Sequence, residues 1–185
     1  MTFQSTGAYD GWVLESGETT NAGRRKNAGS SIIYIGDDAH NRQYRGFLSF
    51  DTSGLPDNAI ITSVNLKFKY AGVVGTLPFR THRNLIVDIK NGAFSNLIGL
   101  ASRDFNAAAN RNRAMSFNRT QVSGWYSRFL NAAYFPYINR TGVTQFRLRF
   151  VKDDNNDFGR DVLKIYSGNS IVANRPVLII QYTVP

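Results

Sequence analysis

Tyr44–Tyr70, YRGFLSFDTSGLPDNAIITSVNLKFKY, carries the plainest structural signal in the chain. Read in twos from Thr62, it places Val64, Leu66, Phe68 and Tyr70 on one face and Ser63, Asn65, Lys67 and Lys69 on the other. That alternation predicts a strand with one buried and one wet face. Upstream, Leu48 and Phe50 stand two apart in a second apolar run, and Asp51–Ala59 between the runs is rich in turn-forming residues. The unit is strand, shaped loop, strand, with no room for a helix.

Working outward, Asp10–Glu15 puts Trp12 and Leu14 on one face of a first strand, while residues 1–9 read as linker or as the remnant of a trimmed precursor. Ser16–Ser31 is polar and glycine-rich and reads as a long surface loop that includes a short edge strand. Ile32–Ile35 follows as a strand, closed by Gly36-Asp37-Asp38. Ala71–Asn84, with Gly72, Gly75 and Pro78, reads as a connection to a short strand at Leu85–Ile89. In Phe94–Arg113 the spacing of Leu97, Leu100, Ala101 and Phe105 predicts one or two helical turns. Met115–Phe117, Trp125–Leu130, Gln145–Val151, Val162–Tyr166 and Val177–Tyr182 are the remaining strands, with Phe146, Leu148 and Phe150 inward and Arg147 and Arg149 outward by parity. Roughly nine to eleven short strands with little helix predict an all-β, jelly-roll-like antiparallel sandwich in one domain over 10–185.

Composition bounds the chemistry. The chain has 185 residues and no Cys, so disulfides, thiolate catalysis and Cys-based zinc sites are excluded. A chain of this length buries a core without such staples. No run of roughly eighteen apolar residues occurs, so no membrane span is expected, and the N-terminus lacks a charged segment followed by an apolar one. The formal charge is +9, with 22 Lys and Arg against 13 Asp and Glu, and Arg dominates the excess. The planar guanidinium binds carboxylate, sulfate or phosphate with two parallel bonds, so the balance favours a polyanionic partner.

Two stretches resemble a known family. Phe50-Asp51, then Leu55-Pro56, then Ile61-x-Ser63-Val64-x-Leu66-x-Phe68 is similar to the opening portion of the DNRLRE-type β-sandwich. Phe146–Tyr182, FRLRFVKDDNNDFGRDVLKIYSGNSIVANRPVLIIQY, resembles the family's closing portion. The resemblance covers about a third of the chain. It implies a β-sandwich module of a larger secreted or cell-surface protein, of the kind that binds acidic polysaccharides, alginate among them, in alginate-degrading enzymes.

The candidate ligand contacts are Arg24, Arg25 and Lys26 in the Asn/Gly-rich loop, with Arg42 and Arg45 on the hairpin that follows. Brought to one rim, these five cations would line a groove for a polyuronate; otherwise they are solvated loop charges. Lys67, Lys69, Arg147 and Arg149 form a second set, on one charged face or on different sheets. Tyr34, Tyr44, Trp125, Tyr126 and Tyr166 are the rings on which a pyranose would pack, and Tyr166 is taken into the site. Asp153–Asp161, DDNNDFGRD, offers Asp153, Asp154, Asn156, Asp157 and Asp161 as hard oxygen ligands for a structural calcium ion, or else is an Asx-rich turn.

Catalysis has no motif. His40 and His82 stand outside any HExxH or nucleophile-elbow pattern, and no phosphate-cradling glycine loop occurs. Arg45–Phe50 has a superficial likeness to an RNA-recognition strand, but Leu48 replaces the small residue and no βαββαβ pattern surrounds it, which argues against nucleic acid. The expected function is therefore non-catalytic binding of an acidic polysaccharide. The alternative is a structural subunit of a fibre, adhesin or surface layer, self-assembling through residues such as Phe79, Phe135 and Tyr137.

Overall fold

A computed structural model describes residues 1–185. Twelve strands run β1 Thr2–Gln4, β2 Gly11–Glu15, β3 Gly23–Asn27, β4 Ile32–Asp37, β5 Gln43–Asp51, β6 Ile60–Gly75, β7 Leu85–Asn91, β8 Arg111–Phe117, β9 Trp125–Phe129, β10 Val143–Phe150, β11 Asp161–Tyr166 and β12 Val177–Thr183. Helix is confined to segments of one or two turns, at Pro78–Thr81, Phe94–Asn96, Ser102–Phe105, Ala132–Tyr137 and Val172–Asn174. The fold is all-β and sandwich-like, as the alternation predicts.

The strand that opens the sequence reading also joins the architecture. The first part of β6 lies between β12 and β9, and β1 extends that sheet beyond β12. Its last part pairs instead with β11, which leads on through β4, β5, β10 and β7 to β8. The switch comes at a register shift opposite Lys164/Ile165, with Gly72 at φ +120°. A bulge of this kind sharpens bend and twist, so a single strand turns from one sheet into the other. Ala71–Gly75 is thus strand, where the sequence reads as a connection; the glycines mark the bend and not a break.

Between the sheets, alternate residues fill one core: Ile33 and Ile35, Leu48 and Phe50, Val64, Leu66 and Phe68, Phe146, Leu148 and Phe150, Leu163 and Ile165 are all buried. Phe79, Phe135 and Tyr137, expected as contact residues, are half-buried and pack against this core. A second, smaller core lies on the outer side of β2 and β5, where Val13 and Phe47 meet Phe94, Leu100 and Phe105. The segment around residues 94–107 is therefore a covering layer, and β5 is buried on both faces.

Two readings change. Residues 1–9 are not linker: β1 pairs with β12, and Asp10 at the end of the segment is buried, accepting from Ser49 N–H and Gly168 N–H at 2.8 Å each. Edge pairing uses backbone groups, which a short polar stretch supplies without any apolar pattern. Arg147 points outward by parity but is only 4% exposed, because the outer layer lies over it. Its Nε and Nη2 donate to Asp88 Oδ2 at 3.0 and 2.9 Å, and its Nη1 donates to the carbonyls of Asp104, Phe105 and Ala107. Asp88 also receives Arg149 Nε at 3.1 Å and the Arg113 N–H at 2.9 Å. Burial alone would raise the Asp88 carboxyl, but the two guanidinia prevail and hold it below the usual carboxylate range.

Candidate functional site

A basic and aromatic cleft of about 280 Å³ is lined by strands β2–β6 and β11 and the turns beside them. Its walls include Tyr34 from β4 and Tyr44 from β5, and its floor Leu14, Val74 and Val162. Trp12 backs the aromatic wall, stacked on Tyr34 with ring centroids 5.8 Å apart and set edge-on to Tyr44 at 5.1 Å. Tyr34 and Tyr44 meet edge to face at 5.6 Å. Interlocked rings of this kind hold one another's orientation, which keeps their free surfaces fixed.

Four basic side chains line the cleft. Arg25 comes from edge strand β3, opposite Leu14 in register. Arg42 and His40 belong to the turn after β4, where Asp38 Oδ1 accepts the N–H groups of His40 and Arg42. The Arg42 guanidinium donates through Nε and Nη2 to Asp38 Oδ2 at 3.0 and 2.5 Å. Burial pushes the Asp38 carboxyl up, but Arg42 and the two N–H donors outweigh it and hold it low. Arg160, at the threshold of β11, is the fourth. Arg25 and Arg160 are exposed and take part in no ion pair. Three guanidinia thus face one carboxylate, a local excess of two positive charges.

Of the sequence-level candidates, the cleft gathers Arg25, Arg42, Tyr34 and Tyr44 and leaves the others elsewhere. Alternation along β3 turns Arg24 and Lys26 to the opposite face. There the Lys26 ammonium donates to the Leu100 carbonyl, and the Arg24 carbonyl accepts from Ser102 Oγ. Arg45 is committed to the outer layer: it donates to Phe105 O at 2.5 Å and Asn21 Oδ1 at 2.9 Å and lies 3.8 Å over the Phe105 ring. Burial, then the nearby Arg147 and Arg149, pull its pKa down to about 9, still charged at neutral pH. These three guanidinia border a separate polar cavity, but their donors serve backbone carbonyls, the side-chain amides of Asn21 and Gln43, and Asp88. Tyr166 lies farther along β11, outside the cleft. Lys67 and Lys69 are on β6 in the first sheet, over Trp125 at 5.4 and 5.8 Å, so the strand cations do not form one face with Arg147 and Arg149. Tyr126 is core.

The acidic turn is built from its own side chains. Asp154 Oδ1 accepts Asn156 N–H at 3.0 Å, Asp157 Oδ1 accepts Gly159 N–H at 2.6 Å, and Asn155 Nδ2 donates to Asp157 and Asp161. Asp153, Asn156 and Asp157 are exposed, and no three of the carboxylates Asp153, Asp154, Asp157 and Asp161 gather into one donor group. Asp161 alone joins an assembled donor group, with Asp37 and His82, whose ligand atoms lie within 4.8 Å of one another.

Arg160, Trp12 and the Asp37–His82 pair escaped sequence reading. Arg160 sits inside the acidic run and was masked by it, while Asp37 and His82 carry no motif because their partners are distant in sequence. No protein-family model and no characterised protein matches this chain.

Proposed function

We propose that this chain is a non-catalytic carbohydrate-binding module of the DNRLRE type, working outside the cell as part of a larger protein. It binds a carboxylate-bearing polysaccharide, alginate-like, in the cleft of Arg25, Arg42 and Arg160. The observation that supports this reading is the convergence of two unpaired guanidinia on a fixed aromatic wall. Arg25 and Arg160 take a uronate carboxylate by paired N–H donation. The pyranose CH face rests on Tyr34 or Tyr44. Arg42, already bound to Asp38, shapes the rim and adds field. The cleft is small for a ligand pocket, which suits one sugar unit of a chain passing across it.

Affinity electrophoresis on alginate, pectin, a sulfated glycan and a neutral glucan tests this, at low salt and again at about 0.5 M, where screening removes unshaped attraction. Alginate is expected to retard the wild type at both salt levels and the Arg24→Ala/Lys26→Ala variant equally. The Arg25→Ala/Arg160→Ala variant should run free. Equal retardation by every polyanion that vanishes with salt, or retardation indifferent to Arg25 and Arg160, would overturn the assignment.

A further inference from the structure

The structure assigns a second, independent site: a structural divalent transition-metal centre, zinc-like in preference, held by Asp37, His82 and Asp161. Asp37 ends β4 and Asp161 begins β11, and the two are register partners. His82 caps the helical turn Pro78–Thr81, its N–H donating to Pro78 O at 2.6 Å. All three side chains are sealed from solvent, at 0–1% exposure.

The bonding of the group points to an ion. Both carboxylate oxygens of Asp37, Oδ1 of Asp161 and Nε2 of His82 are buried without a hydrogen-bond partner. Nearly all buried polar atoms are paired, and here the one close approach among the four is His82 Nε2 to Asp37 Oδ1 at 3.3 Å, so the cluster fits an ion as its shared partner.

The outer contacts are those of a prepared ligand set. Thr81 Oγ1 lies 2.6 Å from His82 Nδ1, which engages that nitrogen and leaves Nε2 to face Asp37 Oδ1 at 3.3 Å. Asn155 Nδ2 donates to Asp161 Oδ2 at 3.0 Å, that oxygen lies 3.7 Å from His82 Nδ1, and Oδ1 keeps no partner of its own. Supporting bonds of this type fix the orientation of metal-binding side chains. Two atoms each about 2.0–2.1 Å from a tetrahedral ion stand roughly 3.3 Å apart, which matches the Nε2–Oδ1 separation. Two carboxylates and an imidazole neutralise a divalent ion, and a bound water completes its shell. Calcium asks for six or more oxygen donors, which this closed pocket does not supply.

The ion would tie together β4, β11 and the turn carrying His82. Elemental analysis of the purified protein, chelator treatment, and titration with ZnCl2, CoCl2 and CaCl2 test the site, with melting followed by differential scanning fluorimetry. One Zn²⁺ per chain is expected, with a rise in Tm of roughly 5–10 °C at about a hundredfold excess over Kd. Bound Co²⁺ should give the visible absorption of a tetrahedral centre. His82→Asn should lose both signals, whereas His40→Ala and Asp153→Asn/Asp157→Asn should keep them. If His82→Asn fails to fold, the wild-type titration still decides. Absence of stoichiometric binding, a calcium-only response, or an equal zinc response in His82→Asn refutes the assignment.

Discussion

Replacing Arg147 with Met tests whether the outer layer is fastened electrostatically. Met keeps the aliphatic stem and removes the guanidinium. Two bonds to Asp88 Oδ2 are lost, and the carbonyls of Asp104, Phe105 and Ala107 lose their shared donor. Removing one partner of a buried ion pair costs about 3–5 kcal/mol, because the other charge stays behind. Asp88 keeps Arg149 and the Arg113 N–H, which places the cost toward the lower part of that range. The adjoining polar cavity lets water reach the Ala107 carbonyl, which also limits it. A loss of about 3–4 kcal/mol lowers Tm by roughly 6–16 °C in a domain of this size. Urea and thermal unfolding would measure it, and proteolysis within residues 94–109 should accelerate before global unfolding. A double-mutant cycle with Asp88→Asn should show coupling above about 1.5 kcal/mol. Should Arg147→Met fall within about 1 kcal/mol of wild type with unchanged proteolysis, the guanidinium is dispensable and packing of Phe94, Leu100 and Phe105 holds the layer.

Two further outcomes follow from single positions. Asp10 is buried, and desolvation lifts its pKa to about 7 despite the N–H donors of Ser49 and Gly168. The native state therefore retains a proton that the unfolded chain has released. The stabilisation is full below about pH 4, declines by about 1.4 kcal/mol per pH unit as pH rises, and is gone above about pH 7. Urea midpoints from pH 4.5 to 8 should fall more steeply in wild type than in Asp10→Asn, and identical slopes would contradict the assignment. Gly36 has φ +132°, and a Cβ there would stand 1.9 Å from the Asp161 carbonyl oxygen, so Gly36→Ala should cost at least about 3 kcal/mol. Gly99→Ala, where a Cβ meets nothing, should be neutral or stabilising by about 0.5 kcal/mol, and similar calorimetric losses in both would undo the contrast.

What was legible in the sequence was whatever repeats with period two. Val64, Leu66 and Phe68, then Phe146, Leu148 and Phe150, declared their face and reached the core they implied. Parity says which way Arg147 points but not what lies above it, and the covering segment announced itself only as irregular spacing. β1 was hidden because an edge strand needs backbone groups more than side-chain pattern. The cleft was half legible: charge density found Arg25 and Arg42, but only β3 geometry separates Arg25 from Arg24 and Lys26. The Asp37–His82–Asp161 group was illegible, since three strand-end and turn residues far apart in sequence meet only after β4 and β11 are in register.

The double allegiance of β6 has a consequence for the order of assembly. Its partners β9, β11 and β12 all follow it in the chain, and β12 lies between β1 and β6. The larger sheet is not joined until β11 has been made, and the β1–β12–β6–β9 sheet not until the residues through Thr183, so a nascent chain lacks one complete layer of the sandwich to its last strand. Pairings between such distant segments make for slow, late folding. A ribosome-bound chain lacking β12 should therefore remain unfolded and open to threading through a pore, or to chaperone capture, until synthesis has passed its last strand.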